Sequence, residues 1–165
     1  MFTNRVSQTL HDEHRATVAL MERLEGLIAR HARGLPDTSD RTVAQLLAEL
    51  ATAVEADVAH HFDFEEQRLF TFLEEVGDAA IGAHLTDEHQ AMRPLGARVA
   101  ALAREASARG FEAGSWEEFR RVGQELCERM LMHVQKEEMA LLPLLEESMD
   151  SETEARLHQE YLETT

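Results

Sequence analysis

A His-x-x-x-Glu pair occurs twice in this chain, each time within a long helical pattern of apolar residues. The first pair is His61 and Glu65, and the second is His133 and Glu137. A His and a Glu four residues apart lie on the same face of an α-helix, so each pair presents an imidazole and a carboxylate to one point in space. Two such helices that face each other are suited to holding a pair of metal ions.

Both pairs fall inside apolar stripes whose members recur every three to four positions. The stripes consist of Leu47, Leu50, Val54, Val58, Leu69 and Phe72 around the first pair, and of Phe119, Val122, Leu126, Met130, Leu141 and Leu144 around the second. Alone, each pair would be an ordinary helix-surface contact. An unpaired buried carboxylate costs several kcal/mol, so two carboxylates directed into one core require cations beside them. We therefore interpret the two pairs as metal ligands.

The length and composition predict one all-α domain over residues 1–165. The chain is long enough to bury a core without disulfides, has few aromatic residues and is rich in Ala, Leu and Glu. Helical periodicity and breakers predict an up-down-up-down four-helix bundle over about residues 4–149. The first two helices should cover 4–33 and 41–75. A short, polar C-terminal helix over about 151–162 should lie outside the core.

Local signals place several helix boundaries. Asp40 or Ser39 should cap the second helix. Pro94 should kink the third helix just beyond His89. The capping box that begins at Ser115 should open the fourth helix, and a second box that begins at Ser151 should open the C-terminal helix.

The sequence also repeats itself weakly. The tripeptide Asp-Glu-His ends at His14 on the first helix and at His89 on the third, and both His residues lie on apolar stripes. Each half of the chain therefore contributes one helix with a single His and one helix with a His–Glu pair. This arrangement predicts a site with pseudo-twofold symmetry.

These residues, in this order, resemble the hemerythrin-like family, also called the HHE cation-binding domain. The resemblance covers about residues 5–148 and rests on His14, His61-x-x-x-Glu65, His89 and His133-x-x-x-Glu137. It implies two iron ions in an oxo- or hydroxo-bridged non-heme centre, with the four His as terminal ligands and the two Glu as bridges. Imidazole and carboxylate ligands suit iron, whereas a thiolate-rich set would indicate zinc.

His84 is a candidate fifth imidazole ligand. The family's oxygen carriers have two His four residues apart on the third helix, whereas His84 and His89 are five apart, about 500° around the helix axis. A local π-bulge would bring His84 round. The carriers also place an Asp five residues after the fourth-helix His, where this chain has Glu137 four residues after it. Five His would leave one open iron position, whereas four would leave both irons open.

Three other side chains near the ligands have alternative interpretations. His60 adjoins His61 and would replace it if the helix register differed. Glu66 and Glu138 follow the bridging residues and would point about 100° away from them, so we expect them to lie behind the ligands or at the surface.

The resemblance leaves two classes of function open. We favour a protein that binds or senses oxygen, and the alternative is an enzyme that decomposes peroxide or handles nitric oxide or iron. A ferritin-like protein would need Glu-x-x-His, which does not occur here. A metal-free structural bundle is the remaining alternative.

Charge and cysteine content bear on partners and location. The net charge of −16 argues against nucleic acid and anionic membranes as partners. The single Cys127 fits a reducing compartment, and no apolar run is typical of a signal peptide or membrane span. We therefore expect a cytoplasmic monomer or homodimer whose partner is a small ligand such as O2, peroxide or NO.

Overall fold

The computed structural model describes residues 2–164, apart from the side chain of Asp57. This part of the chain forms five helices and contains no β-strand. Helix α1 is Arg5–Arg30, α3 is Ala79–Arg109 and α5 is Ser151–Glu163. Helix α2 consists of Arg41–Phe64, a π-helical turn Glu65–Leu69 and Phe70–Glu75. Helix α4 consists of Ala113–Lys136, a π-helical turn Glu137–Leu141 and Leu142–Ser148. The all-α prediction is confirmed.

Two apolar clusters divide the bundle along its length. The first includes Leu10 and Leu85, and the second includes Leu27 and Leu102. Helices α1 and α3 run from the first cluster to the second, whereas α2 and α4 run the opposite way, so successive helices alternate in direction. On each of these four helices, the predicted metal-binding residues other than His84 lie between the two clusters. They form a buried polar layer in an otherwise apolar core.

Helices α2 and α4 change from α to π geometry directly after their His–Glu pairs. The backbone N–H groups of Phe70 and Leu142 bond to the carbonyl oxygens of Glu65 and Glu137, five residues earlier. Each Glu donates its own N–H to the His four residues before it, so the pairs keep their α-helical spacing. No π-bulge occurs in the described residues of α3, where His84 would require one. Short π segments occur often at functional sites.

Helix α3 packs closely against α2 on both sides of His89. A Cβ added to Gly82 would lie 2.9 Å from Cβ of Phe70, and one added to Gly96 would lie 2.8 Å from Cγ1 of Val54. Both separations are shorter than real Cβ contacts, so these positions require glycine. Because the two glycines lie seven residues before and after His89, the close approach holds this His against α2.

The helix starts follow the sequence signals with two corrections, since Asp150 rather than the predicted Ser151 caps α5, and the start of α4 also differs. Asp40 caps α2 as predicted, accepting hydrogen bonds from the N–H groups of Thr42 and Val43. The prediction that Ser115 opens α4 was wrong. The helix begins two residues earlier, and Ser115 accepts a hydrogen bond from the N–H of Glu112 at 3.0 Å as the third helical residue. The reciprocal pattern is present, but the residue that caps the helix is Glu112.

The C-terminal helix does not lie outside the core, so that expectation was also wrong. Asp150 caps α5, and Leu157 is only 1% exposed within the first apolar cluster. Tyr161 follows one helical turn later and packs against the ring of Phe64, with 5.1 Å between ring centroids. These two side chains share one face of α5 because they are four residues apart, and that apolar face covers the bundle.

Among residues 2–164, none of the helices combines the length and apolar character that crossing a bilayer requires.

Candidate metal centre

Six buried side chains from all four bundle helices form two groups of potential metal ligands. One group is Glu65, His89, His133 and Glu137, and the other is His14, His61 and Glu137. Within each group the candidate ligand atoms lie within 4.8 Å of one another. Each of the six residues is at most 7% exposed. The structure thus brings together six of the seven predicted ligands.

Glu137 connects the two groups. Its Oε2 lies 2.7 Å from Nε2 of His14 and 3.6 Å from Nε2 of His61. Its Oε1 contacts Nε2 of His133 and lies 3.8 Å from Nε2 of His89. One carboxylate therefore faces all four imidazoles, as a bridging ligand would.

Glu65 is the second carboxylate at the centre. Its Oε1 lies 3.1 Å from Nε2 of His61 and 3.6 Å from Nε2 of His89. Within residues 2–164, however, neither oxygen of Glu65 receives a well-directed hydrogen bond, and the imidazoles of His133 and His89 are also poorly directed towards Oε1 of Glu137. Buried carboxylate oxygens without partners are rare because desolvation is costly. Four imidazoles and two such carboxylates suit divalent transition-metal ions, so the residues present fit a bound metal.

The protein groups alone leave the two carboxyls with opposite pKa shifts. Burial and the neighbouring charge of Glu137 raise the pKa of Glu65. Burial would also raise the pKa of Glu137, but hydrogen bonds from His133, His14 and the other imidazoles outweigh it and hold that pKa well below its usual value. Like charges at one buried site cannot both be stabilised without cations.

The imidazoles of His14, His61 and His133 are held in the charged form by contacts with the two carboxylates. Burial would lower the pKa of His133, but the hydrogen bond and charge of Glu137 outweigh burial and raise it to about 9. For His61, the charge of Glu65 outweighs burial and raises the pKa well above its usual value. For His14, the hydrogen bond to Glu137 outweighs burial, so its pKa is also raised. The centre therefore stores protons that a metal would displace.

A second layer of carboxylates holds the other ring nitrogen of every imidazole. The four distances from Nδ1 to a carboxylate oxygen are His14 to Glu138, 2.6 Å; His61 to Glu13, 3.0 Å; His89 to Glu66, 2.9 Å; and His133 to Glu88, 2.9 Å. An Nδ1–H that donates to a carboxylate leaves the Nε2 lone pair for a metal, and such partners are typical of metal-binding His. This layer has the pseudo-twofold symmetry of the repeat.

The side chains that contact these four carboxylates do not follow the pseudo-twofold symmetry. Glu66 accepts a 2.6 Å hydrogen bond from Arg93, and Glu88 accepts one from Lys136. On the other side, Glu138 contacts Nδ1 of His11 at 2.8 Å, and Glu13 accepts a hydrogen bond from the Tyr161 hydroxyl. The carboxylates behind His89 and His133 therefore contact permanent cations, whereas among residues 2–164 those behind His14 and His61 contact none. The two groups differ electrostatically.

The remaining candidates lie outside both groups. The side chain of His84 is 60% exposed, and its Nε2 lies 3.4 Å from Glu88 and 3.3 Å from Nζ of Lys136. Its position five residues before His89 turns it to the bundle surface. Nε2 of His60 is 2.8 Å from the hydroxyl of Thr164, which directly follows α5. Cys127 is buried, and burial raises the pKa of its thiol to about 12, which leaves it unreactive.

The fold and the six buried ligands agree with a family comparison. The family model described as "Hemerythrin HHE cation binding domain" matches residues 5–145, and a further match covers residues 80–164. The chain belongs to this family. The longer match spans most of the bundle and contains all six side chains of the two groups. A comparison with curated proteins finds no match.

Four carboxylates contact the candidate ligands of the hemerythrin-like domain, and the sequence did not predict these contacts. Glu13 and Glu88 went unassigned, although each directly precedes a repeated His. Glu66 and Glu138 were expected behind the ligands or at the surface, and the structure places them behind His89 and His14. The duplicated Glu-His and Glu-Glu dipeptides were the signal for all four. The partner of each Glu was not predictable, because every one of these contacts joins two different helices.

Proposed function

We propose that this hemerythrin-like domain holds two iron ions, one in each ligand group, and that its centre reacts with dioxygen or peroxide. The observation that carries the proposal is the convergence of four Nε2 atoms on two buried carboxylates whose oxygens lack sufficient partners. Glu137, which is shared by the two groups, would be the bridging ligand, and Glu65 would be the second bridge. When bound, the iron ions would supply open coordination positions and reversible one-electron redox chemistry.

The protein's own residues would orient the site and keep it dry. The four carboxylates of the second layer hold the Nδ1 protons and fix the direction of each imidazole. Phe62 stacks on the His89 ring with 3.8 Å between centroids, and Phe70 lies 6.0 Å from the same ring. Both Phe side chains are less than 10% exposed, so they exclude water from that side of the centre.

The position of His84 favours peroxide consumption over reversible oxygen storage. With four imidazoles, both iron positions would keep room for an exogenous ligand. Disproportionation needs such room, since one peroxide is oxidised by two electrons to O2 and a second is reduced by two electrons to water. A protein that binds or senses oxygen, the function favoured from the sequence, would instead be expected to have five imidazole ligands and a single open position on iron.

The direct test uses iron-loaded, reduced protein under argon. We expect hydrogen peroxide to be consumed with release of one O2 for every two peroxide molecules, followed with an oxygen electrode and by absorbance. The Glu137→Gln variant serves as the negative control. A visible band that appears in air and disappears under argon, without peroxide consumption, would instead support the binding or sensing function.

Replacing His84 by Ala is expected to leave the metal content of the domain unchanged. The side chain is largely exposed and contacts only Glu88 and Lys136 among the described residues. We expect the variant and the wild type to retain equal amounts of iron per chain after gel filtration, measured by elemental analysis. Loss of one iron or both would show that His84 reaches the centre.

A further inference from the structure

A large cavity lies against one side of the candidate metal centre. Its volume is about 470 Å³, and residues of α1, α2, α4 and α5 line it. His14, His61 and His133 form part of its wall, whereas His89 and Glu65 do not. The cavity therefore reaches the centre from the side of the three-residue group, which offers fewer protein ligands than the other group.

The cavity is much larger than the small ligands proposed above require. A water molecule, similar in size to dioxygen or peroxide, occupies about 30 Å³ of liquid, so the cavity has roughly fifteen times that space. Pockets that bind small organic molecules range from about 300 to 1,000 Å³. The volume therefore matches an organic ligand.

The lining separates into an apolar wall and a polar end. The apolar wall is formed by Leu20, Met21, Ala53, Val58, Met130 and Val134. The polar end is formed by His14, His61, Glu13 and Tyr161. No Lys or Arg occurs among the described lining residues. The Glu13 carboxylate lies at this polar end, and together with the chain's net charge of −16 it disfavours an anionic ligand.

Helix α5 closes the cavity beside its polar end. The Tyr161 hydroxyl donates a hydrogen bond to Glu13, whose other oxygen contacts Nδ1 of His61 at 3.0 Å. Thr164 is joined to His60 at 2.8 Å. A hydrogen bond from α5 therefore reaches Glu13, the carboxylate that contacts the candidate metal ligand His61.

We propose that this cavity binds a neutral, mainly apolar organic molecule with one polar end, directed towards His14 and His61. Such a molecule would cover the apolar wall and place its polar end beside the open side of the centre. Its place beside the proposed iron centre is the part of this inference that rests on the proposed function.

The test is isothermal titration of the iron-loaded full chain with 1-octanol, a neutral probe that the centre does not consume. We expect a Kd on the order of 100 µM from burial of its alkyl chain. Sodium octanoate, which differs by its anionic end, should bind at least about tenfold more weakly. Absence of octanol binding, or tighter binding of octanoate, would overturn the proposal.

Matched variants locate the binding. Ala53→Phe fills the cavity two helical turns from His61 and should weaken octanol binding at least about tenfold. Ala97→Phe makes the same change beside a separate cavity of about 130 Å³ and should leave the Kd within about twofold. If Ala53→Phe does not fold, Thr17→Phe tests the opposite wall. Unchanged affinity in the folded cavity variant would overturn the assignment.

Iron content and peroxide consumption are measured on the same samples. Protein that holds iron and consumes peroxide but does not bind octanol contradicts this inference alone. Protein that binds octanol in the Ala53-dependent way but holds no iron contradicts the proposed function and leaves the cavity assignment in place.

Discussion

Replacing Glu137 by Gln is expected to remove both metal ions from the hemerythrin-like domain. Glu137 is the only one of the six buried side chains that belongs to both ligand groups. The substitution keeps the shape of the side chain but removes the charge that faces all four imidazoles. Loss of a shared anionic ligand should weaken binding of each ion by at least about a hundredfold, roughly 3 kcal/mol. Elemental analysis after gel filtration measures the result.

Two further variants show whether the loss of metal is specific to Glu137. Glu128→Gln, an exposed position on the same helix, should retain the wild-type metal content. Glu65→Gln should weaken binding of both ions but less than Glu137→Gln does, because Glu65 faces His61 and His89 whereas Glu137 faces all four imidazoles. Two ions retained in Glu137→Gln would show that Glu137 is not the bridge.

Removing the metal with a chelator is expected to destabilise the domain, and increasingly so at higher pH. Without metal, the imidazoles of His14, His61 and His133 have raised pKa values because they contact Glu137 and Glu65. A pKa of about 9 for His133, against the usual 6.5, corresponds to roughly 3 kcal/mol of folding free energy.

The direction of this pH dependence follows from the number of protons that the folded and unfolded chains bind. Between pH 6.5 and 9 the folded metal-free chain holds more protons than the unfolded chain. The contribution of the His133 imidazole to stability is therefore fully present below about pH 6.5 and is lost as the pH rises through about 9. The metal-loaded domain behaves differently, because a metal binds neutral imidazole and displaces those protons. The advantage of the loaded form should grow with pH.

Thermal unfolding of both forms at several pH values measures this effect. For a domain of this size, 3 kcal/mol corresponds to roughly 10 °C in Tm. We expect the difference in Tm between loaded and chelator-treated protein to widen by about that amount between pH 6.5 and 9. A metal-free Tm that stays constant or rises over this range would contradict the assigned pKa directions.

The two ligand groups of the candidate centre differ in the charges and the space around them. The group with His89 and His133 is backed by Arg93 and Lys136 and is shielded by Phe62. The group with His14 and His61 has no permanent cation behind it and meets the large cavity. The cavity reaches both imidazoles of the second group but only His133 of the first.

The sequence by itself determined the helical bundle and the side chains directed into its centre. Helical periodicity and i, i+4 spacing are local properties, so the positions of His61 and Glu65 on an apolar stripe were readable without any tertiary contact. The repeat of Asp-Glu-His added His14 and His89 by the same reasoning. The structure brings all of these side chains together with His133 and Glu137.

Only the tertiary structure decided what surrounds those six side chains. The contacts of Glu13, Glu66, Glu88 and Glu138 depend on the rotation and stagger of neighbouring helices, which a period of 3.6 residues does not set to the accuracy of a hydrogen bond. The same packing turned His84 to the surface and brought Tyr161 of α5 over Glu13. The polar sequence of the C-terminal segment predicts exposure to solvent. Burial of Leu157 depends on an apolar surface that only the assembled bundle provides.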